Sequence, residues 1–409
     1  MLGPSLHALK NQASAQQLSP EYTQRLIRVA HRLSTRKVPV VFSLMHLAHL
    51  SGTSWSSLRA TVARSKDNYT TFEIRKRSGG NRRICVPAPA LKLAQGWIHK
   101  HILCSPGALA LLQQASTAYA PGSSIKMNAS AHAGAAWLIK LDIKDFFESI
   151  SERQVYHVFK SLFGYPALLS FEMARLCTRV VPPRNDGVAR RRERMWRWTN
   201  RASKHFSPYS CVTAVGHLPQ GAPTSAMLAN LVAVEIDKQI QAIADANDAT
   251  YTRYADDIVL TLSDGTRSHC DAILQKVAHV VNTAGFRVNR KKSYVRGPGA
   301  RKVVTGLVIN DDRPRLTKAS REEIKLALYH IKKHGLLSHS ERRHSKNPLG
   351  YLNHLVGLIY FARSIEEDFG ARALIELRTI MADHRDLLSV LQTFEAMPAE
   401  RESYSYRSI

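Results

Sequence analysis

Residues 251–262 read YTRYADDIVLTL and place two adjacent aspartates, Asp256 and Asp257, inside an otherwise apolar segment. The β-branched and aromatic residues of this segment predict two strands that meet at a tight turn. Two carboxylates at the tip of a hairpin repel each other, and hard oxygen ligands of this kind favour Mg²⁺ or Mn²⁺. An Asp-Asp pair is more often a solvated turn, so a metal site needs a further carboxylate.

That further carboxylate is Asp142, which ends the apolar run AAWLIKLD at residues 135–142 and the strand predicted over 136–143. We expect the fold to bring this strand beside the one that carries Asp256. Two metal ions about 3.5–4 Å apart can stabilise the attacking and the leaving oxygen of an in-line phosphoryl displacement. Polymerases and nucleases share such sites, so the carboxylates alone leave both classes open.

The chain of 409 residues has 58 Lys and Arg against 32 Asp and Glu, a formal net charge of +26. Basic residues occur from end to end, which favours a nucleic-acid partner over a merely soluble basic protein, because phosphate neutralisation releases counterions. The five cysteines are scattered without a C-x-x-C pair and predict reduced thiols in a cytoplasmic protein. No signal peptide and no membrane span is predicted.

The order of predicted elements divides the chain into four regions. Residues 1–64 form a basic helical region, and 65–300 form a mixed α/β region that begins with a β-hairpin over 69–90. Residues 301–368 contain predicted helices, and 369–409 form a C-terminal extension of unknown role.

Several motifs carry a resemblance to a known family. LDIKDFF at 141–147, LPQGAPTS at 218–225 and YADD at 254–257 resemble, in this order, the palm of a reverse transcriptase. The hairpin RKRSGGNRRICVP at 75–87 resembles the fingers of that family. The resemblance covers about residues 65–365. It implies an α/β (α+β) right-hand polymerase fold, with fingers and palm followed by a helical thumb, and RNA-templated DNA synthesis.

The resemblance also implies roles for single residues. Asp142 and Asp256 would bridge two Mg²⁺ ions, or Mn²⁺ in their place. Asp257 would be a neighbouring ligand, and the backbone carbonyl of Ile143 a further one. Phe147 would pack beneath the sugar of the incoming dNTP and leave no room for a 2′-OH, whereas a core aromatic is the alternative. The other residues expected to bind the nucleotide are Lys76, Arg82, Gln220 and Gly221, for which a solvated hairpin or loop is the alternative.

Two further motifs resemble signatures of bacterial retron reverse transcriptases: Asn128-Ala129-Ser130-Ala131-His132 and Val304-Thr305-Gly306. The resemblance implies that Asn128, His132, Val304, Thr305 and Gly306 contact RNA, with structural roles as the alternative. It also implies a structured non-coding RNA as template, priming from a 2′-OH of that RNA, and a covalent RNA–DNA product (msDNA). A role in antiphage defence with a partner effector protein would follow.

Other functions compete with this interpretation. The nearest is a reverse transcriptase of a group II intron or of a diversity-generating element. An RNA-binding protein with an inactive polymerase site belongs to another class, and the three aspartates argue against it. A two-metal nuclease would not need the nucleotide-binding hairpin or Phe147.

Overall fold

The computed structural model describes residues 11, 15–75, 79–180, 208–209, 212, 214–343 and 347–382. Its strands are β1 (Tyr69–Arg75), β2 (Asn81–Pro87), β3 (Trp137–Asp142), β4 (Thr250–Tyr254), β5 (Asp257–Leu262), β6 (Tyr294–Arg296), β7 (Val303–Val304) and β8 (Leu307–Val308). Its helices are α1 (Pro20–Thr35), α2 (Leu44–Leu50), α3 (Trp55–Ala63), α4 (Pro89–Trp97), α5 (Pro106–Leu109), α6 (Ile125–Ser130), α7 (Phe146–Ser149), α8 (Glu152–His157), α9 (Ala167–Cys177), α10 (Ser225–Val232), α11 (Val234–Asp245), α12 (Arg267–Thr283), α13 (Lys318–Arg342), α14 (Pro348–Ile365) and α15 (Glu367–Met381). Two π-helical segments, Ile98–Leu103 and Val158–Leu162, continue α4 and α8.

The predicted β-hairpin is formed, and its second strand, β2, contacts α4. β1 and β2 pair antiparallel, from Tyr69 opposite Pro87 to Arg75 opposite Asn81. Ser19 begins α1 as an N-cap that accepts a hydrogen bond from the Tyr22 N–H, with Pro20 in the first turn. Helices α1–α4 bury their apolar residues in the same core as the palm sheet. The described helices of region 1–64 therefore belong to the same folding unit as the residues that follow.

The palm is an antiparallel four-stranded sheet in the order β4-β5-β3-β6. Successive side chains of a strand point to opposite faces. Ile139 and Leu141 of β3 accordingly enter the main core, while Leu138 enters a second core together with Val259 of β5. Helices α11 and α12 cover the first face, which we call the helical face. The opposite face, which we call the front face, carries the candidate site.

The thumb builds the second core from β7, β8 and α13–α15, against the front face of the palm. Thr317 caps α13, and the helix continues past Gly335, where a φ of 77° produces a kink. Ala373 and Leu374 of α15 are buried in this core. The predicted boundary at residue 368 falls inside α15, and the packing of this helix in the second core continues through Met381.

Two predictions from the sequence concern membrane spans and cysteine thiols, and the described residues bear on both. None of its helices combines the length and the apolar character that a membrane crossing requires. Cys85, Cys104, Cys177 and Cys270 are free thiols, as predicted, and Cys211 lies outside the described residues.

Candidate active site

The predicted carboxylates meet at one end of the palm sheet. β4 ends at Tyr254 and β5 begins at Asp257, so Ala255 and Asp256 form the turn, with a φ of 59° at Ala255. Asp142 lies directly opposite Asp257 in the register of β3 and β5. The Ile143 N–H donates to the Asp256 carbonyl over 2.9 Å and fixes the turn against β3. The strand–turn–strand prediction and the meeting of the three aspartates are both seen in the structure.

Lysines surround these carboxylates, and the sequence analysis did not identify them. Lys292 Nζ donates to Asp142 over 3.0 Å, and Lys140 Nζ donates to Asp257 over 3.0 Å. Asn289 Nδ2 also donates to Asp142, over 2.9 Å. Together with Lys291 and Tyr294, the two lysines and three aspartates line a cavity of about 460 Å³. The spacing of Lys140, two residues before Asp142 on one strand face, is the signal that could have revealed it.

The donor set suits a hard divalent cation, because it consists of carboxylate oxygens with a backbone carbonyl at Ile143. Within the described ranges, however, no three acidic, histidine or cysteine side chains converge as a ready metal cluster. The ammonium groups of Lys140 and Lys292 hold Asp257 and Asp142 in ion pairs. A cation that binds here has to take the place of these ion pairs.

The electrostatic environment of the site disfavours the ionised form of Asp256. Burial first, and then the negative charges of Asp257 and Asp142, raise its pKa to about 6, while Lys292 acts in the opposite direction. The pKa of Lys292 is raised in turn, first by its hydrogen bond to Asp142. The site therefore concentrates negative charge at Asp256, which a bound cation would relieve.

A buried ion pair supports the turn from the helical face. The guanidinium of Arg253 donates to both carboxylate oxygens of Asp237 on α11, over 2.7 Å each. Both side chains are almost fully buried. Burial, the largest single influence, lowers the pKa of Arg253, but the charge and hydrogen bonds of Asp237 together with Tyr251 outweigh it and raise the pKa, so the guanidinium stays protonated.

Arg253 also connects the turn to α10. Its Nη1 donates to the Ala255 carbonyl and to Asn230 Oδ1, over 3.1 Å each. Asn230 lies on α10, which begins just after the loop that carries Gln220. The guanidinium also stacks over the Phe146 ring, at 5.8 Å from its centroid. One buried side chain thus contacts the aspartate turn, the helix after the Gln220 loop and the residue before Phe147.

The predicted nucleotide-binding residues lie around the same end of the sheet. Phe147 is half-buried, with the Phe146 ring 5.7 Å from its own. The Gln220 carbonyl accepts the Cys85 N–H of β2 over 2.7 Å, which joins the loop to the fingers. Gly221 has a φ of 103°, and a Cβ there would lie 2.8 Å from Ile84, so the close approach requires glycine. Arg82 is exposed on β2, and Lys76 lies outside the described residues.

Asn128 and His132 are buried, at 0% and 1% exposure. Asn128 Nδ2 donates to the hydroxyls of Thr117 and Thr252, and the two His132 ring nitrogens lie 2.7 Å from the hydroxyls of Thr252 and Thr261. Burial lowers the pKa of His132 to about 4, so the ring is neutral at physiological pH. Because both side chains are enclosed in this way, neither presents a polar edge to RNA. The prediction of direct RNA contact is therefore corrected: the two residues attach α6 to the palm.

The Val304-Thr305-Gly306 motif forms the tight turn between β7 and β8. Val304 is buried, Gly306 is exposed, and the φ angles of Thr305 and Gly306 are 46° and 85°. The Thr305 hydroxyl donates to the Ile125 carbonyl at the start of α6 over 3.3 Å. The structure therefore places this turn against α6, the helix that carries Asn128, although the two retron-like motifs lie far apart in sequence.

Carboxylates on a palm sheet, a fingers hairpin and a thumb define a polymerase, and comparisons with known proteins agree. Residues 74–297 match the family of reverse transcriptases (RNA-dependent DNA polymerases). The chain is 28% identical over 302 residues to the retron Ec86 reverse transcriptase of Escherichia coli, with 73% of this chain and 81% of that protein covered. It is 31% identical over 264 residues to the retron Mx65 reverse transcriptase of Myxococcus xanthus, with 63% and 56% covered. Among solved structures, the chain is similar to a foamy viral protease–reverse transcriptase in complex with double-stranded DNA, at 17% identity and a TM-score of 0.36, with 72% of this chain and 36% of that chain covered.

This protein belongs to the reverse transcriptase family and is an RNA-directed DNA polymerase. Its curated relatives support the bacterial retron branch of that family. The right-hand polymerase fold predicted from the motifs is confirmed.

Replacing Asp256 by Asn should stabilise the fold by about 1–2 kcal/mol near pH 7.5 without divalent cations. The folded protein holds the Asp256 proton more tightly than the unfolded chain, since the pKa rises from 3.8 to about 6. This proton-linked stability is fully present below 3.8 and is lost as the pH rises through about 6. The advantage of the amide should therefore shrink below about pH 6. Melting curves at several pH values measure it, with the exposed Asp312→Asn as control, and a lower melting temperature for Asp256→Asn near pH 7.5 would contradict it.

Proposed function

We propose that this enzyme copies a structured non-coding RNA, with priming from a 2′-OH of that RNA, and so makes a branched RNA–DNA molecule (msDNA). The observation that carries the proposal is the hydrogen bond from Thr305 to the Ile125 carbonyl, which holds the Val304–Gly306 turn against α6, the helix that carries Asn128, on the front face of the palm. The relatives named as retron enzymes support it. A cytoplasmic enzyme with an effector partner in antiphage defence follows from the same resemblance.

Two Mg²⁺ ions, or Mn²⁺ in their place, would activate the attacking hydroxyl and stabilise the leaving pyrophosphate when bound at Asp142, Asp256, Asp257 and the Ile143 carbonyl. The chain supplies what surrounds this chemistry. Lys140 and Lys292 keep the carboxylates paired until they are engaged. Gln220, Gly221, Arg82 and Lys76 are proposed to hold the dNTP, and Phe147 to contact its sugar.

Particular residues and the RNA that is copied distinguish the proposed function from its alternatives. A non-catalytic RNA-binding protein has no need for three aspartates that line one cavity together with lysines. A group II intron enzyme remains the nearest alternative, since its palm motifs are similar. The RNA distinguishes them: DNA synthesis that begins on a short structured RNA and leaves a 2′–5′ branch supports the retron function, whereas synthesis only from annealed primers contradicts it.

The double variant Asp256→Ala/Asp257→Ala should abolish DNA synthesis and leave RNA affinity nearly intact. The carboxylates serve the metal-dependent chemistry, whereas the net charge of +26 attracts RNA phosphates. Primer extension with Mg²⁺ and an RNA-binding titration measure the two properties, with Asp312→Ala as matched control. Undiminished product from the double variant would refute the metal assignment.

Phe147→Ala should raise incorporation of ribonucleotides relative to deoxynucleotides by about 10-fold or more. Removal of the ring opens space where a 2′-OH would otherwise collide, and such a steric difference is worth about 1–3 kcal/mol. Single-nucleotide incorporation assays give the ratio of kcat/KM for the two sugars. Phe147→Tyr keeps the ring and should keep the ratio, whereas an unchanged ratio in Phe147→Ala would make the residue a core aromatic only.

Variants of the two retron-like motifs should fall into two groups with different defects. Asn128→Ala and His132→Ala should lower the melting temperature and impair extension and RNA-primed initiation alike, because each removes two buried hydrogen bonds to threonine hydroxyls. Thr305→Ala, at the half-exposed turn, should impair initiation on the cognate RNA more than extension of an annealed primer. Running both assays beside a melting curve separates the groups. A selective initiation defect in His132→Ala at full stability would restore direct RNA contact for that residue.

A further inference from the structure

Tyr119 lies beside the candidate site in a rare backbone conformation. The Ala120 N–H donates to the Ala118 carbonyl over 2.8 Å across this residue, which makes a γ-turn with Tyr119 at its centre. The φ of Tyr119 is 66°, the sign that belongs to the rarer and more strained form of this turn. A bulky side chain seldom adopts a positive φ, and strain of this kind concentrates at functional sites.

Two neighbours hold the γ-turn in place. Asn230 Nδ2 of α10 donates to the Ala118 carbonyl over 2.7 Å. On the other side, the Thr117 N–H donates to the Arg253 carbonyl of β4 over 3.0 Å. The strained turn is therefore attached to the helix after the Gln220 loop and to the strand that leads into the aspartate turn. This anchoring fixes the direction in which the Tyr119 side chain leaves the backbone.

The ring of Tyr119 stands between two aromatic residues of the site. Its centroid lies 6.3 Å from that of Phe147 and 6.2 Å from that of Tyr254, with interplanar angles of 56° and 43°. These distances and tilted arrangements are those of favourable aromatic pairs. Phe146 contacts the Phe147 ring as well, so Phe147 has an aromatic neighbour on the core side and one at the surface. Tyr119 itself is 42% exposed.

Charged residues of the palm and of the fingers act on Tyr119. The pKa of Tyr119 is raised by partial burial first and by the charge of Asp256 next, while Arg82 acts to lower it. This influence accords with the position of the ring beside Tyr254, at the start of the aspartate turn.

We infer that Tyr119 is a specificity-determining residue that holds the Phe147 ring in the position that excludes a 2′-OH. The inference rests on the proposed role of Phe147 at the sugar. Without the Tyr119 ring, Phe147 keeps its aromatic contact with Phe146 and loses the one at the surface, so it can rotate into the vacated space. A ribose then fits where only a deoxyribose fitted before.

The test compares Tyr119→Ala, Tyr119→Phe and Phe147→Ala in single-nucleotide incorporation with Mg²⁺. Tyr119→Ala should lower the deoxy-to-ribo ratio of kcat/KM by about 3- to 10-fold, which corresponds to one aromatic contact. Tyr119→Phe keeps both ring contacts and should retain the ratio of the parent enzyme. The double variant Tyr119→Ala/Phe147→Ala should show no further loss beyond Phe147→Ala, because both act on the same ring.

Tyr119→Gly separates this role from a merely structural one. Glycine adopts a positive φ readily, so this variant should melt at or above the temperature of Tyr119→Ala and still discriminate poorly. A lower melting temperature with equal loss of kcat/KM for both sugars would overturn the inference. So would an unchanged ratio in Tyr119→Ala while Phe147→Ala lowers it, and that outcome leaves the proposed role of Phe147 standing. An unchanged ratio in Phe147→Ala itself would instead refute the sugar role on which the inference rests.

Discussion

The ion pair between Arg253 and Asp237 is the interaction on which the catalytic end of the palm depends. Removing two charges from water is costly, and the cost is offset only where the geometry is good and the remaining donors are satisfied. Here the guanidinium meets both carboxylate oxygens, Asn230, the Ala255 carbonyl and Ser116 Oγ. The Tyr251 hydroxyl donates to Asp237 as well. A network of this kind permits one arrangement of β4, α10 and α11, and so one position of the aspartate turn.

On the front face of the sheet, carboxylates that repel one another lie beside lysines that neutralise two of them. Asp256 is held near two other carboxylates although its raised pKa records that the arrangement is unfavourable for folding. Lys140 and Lys292 neutralise its neighbours, Asp257 and Asp142, more directly than they neutralise Asp256 itself. Side chains of the same chain thus offset part of the repulsion among the three carboxylates. The remaining cost to the stability of the fold falls on Asp256.

Features that follow from a local sequence pattern could be predicted from the sequence. Features that depend on contacts between residues far apart in the chain could not. The β-branched and aromatic residues of YTRYADDIVLTL and the apolar run AAWLIKLD predicted the strands and the turn, because these patterns are local. The meeting of Asp142 with Asp256 followed from the resemblance to the reverse transcriptase palm. The burial of Asn128 and His132 could not be predicted, since it depends on Thr117, Thr252 and Thr261 from three other segments. Tyr119 was missed for the same reason. Its importance comes from a strained turn and two ring contacts, neither of which leaves a sequence pattern.

The palm sheet is shared between two hydrophobic cores, with Ile139 in one and Leu138 in the other. The segment that matches the reverse transcriptase family ends at residue 297, yet Leu138 and Val259 are covered by side chains that follow it, among them Val304 and Leu352. A protein cut at the end of the family match would expose an apolar surface on the face that carries the aspartates. The segment that matches the family is therefore shorter than the segment that folds as one unit. A minimal active enzyme from this chain has to extend through Met381.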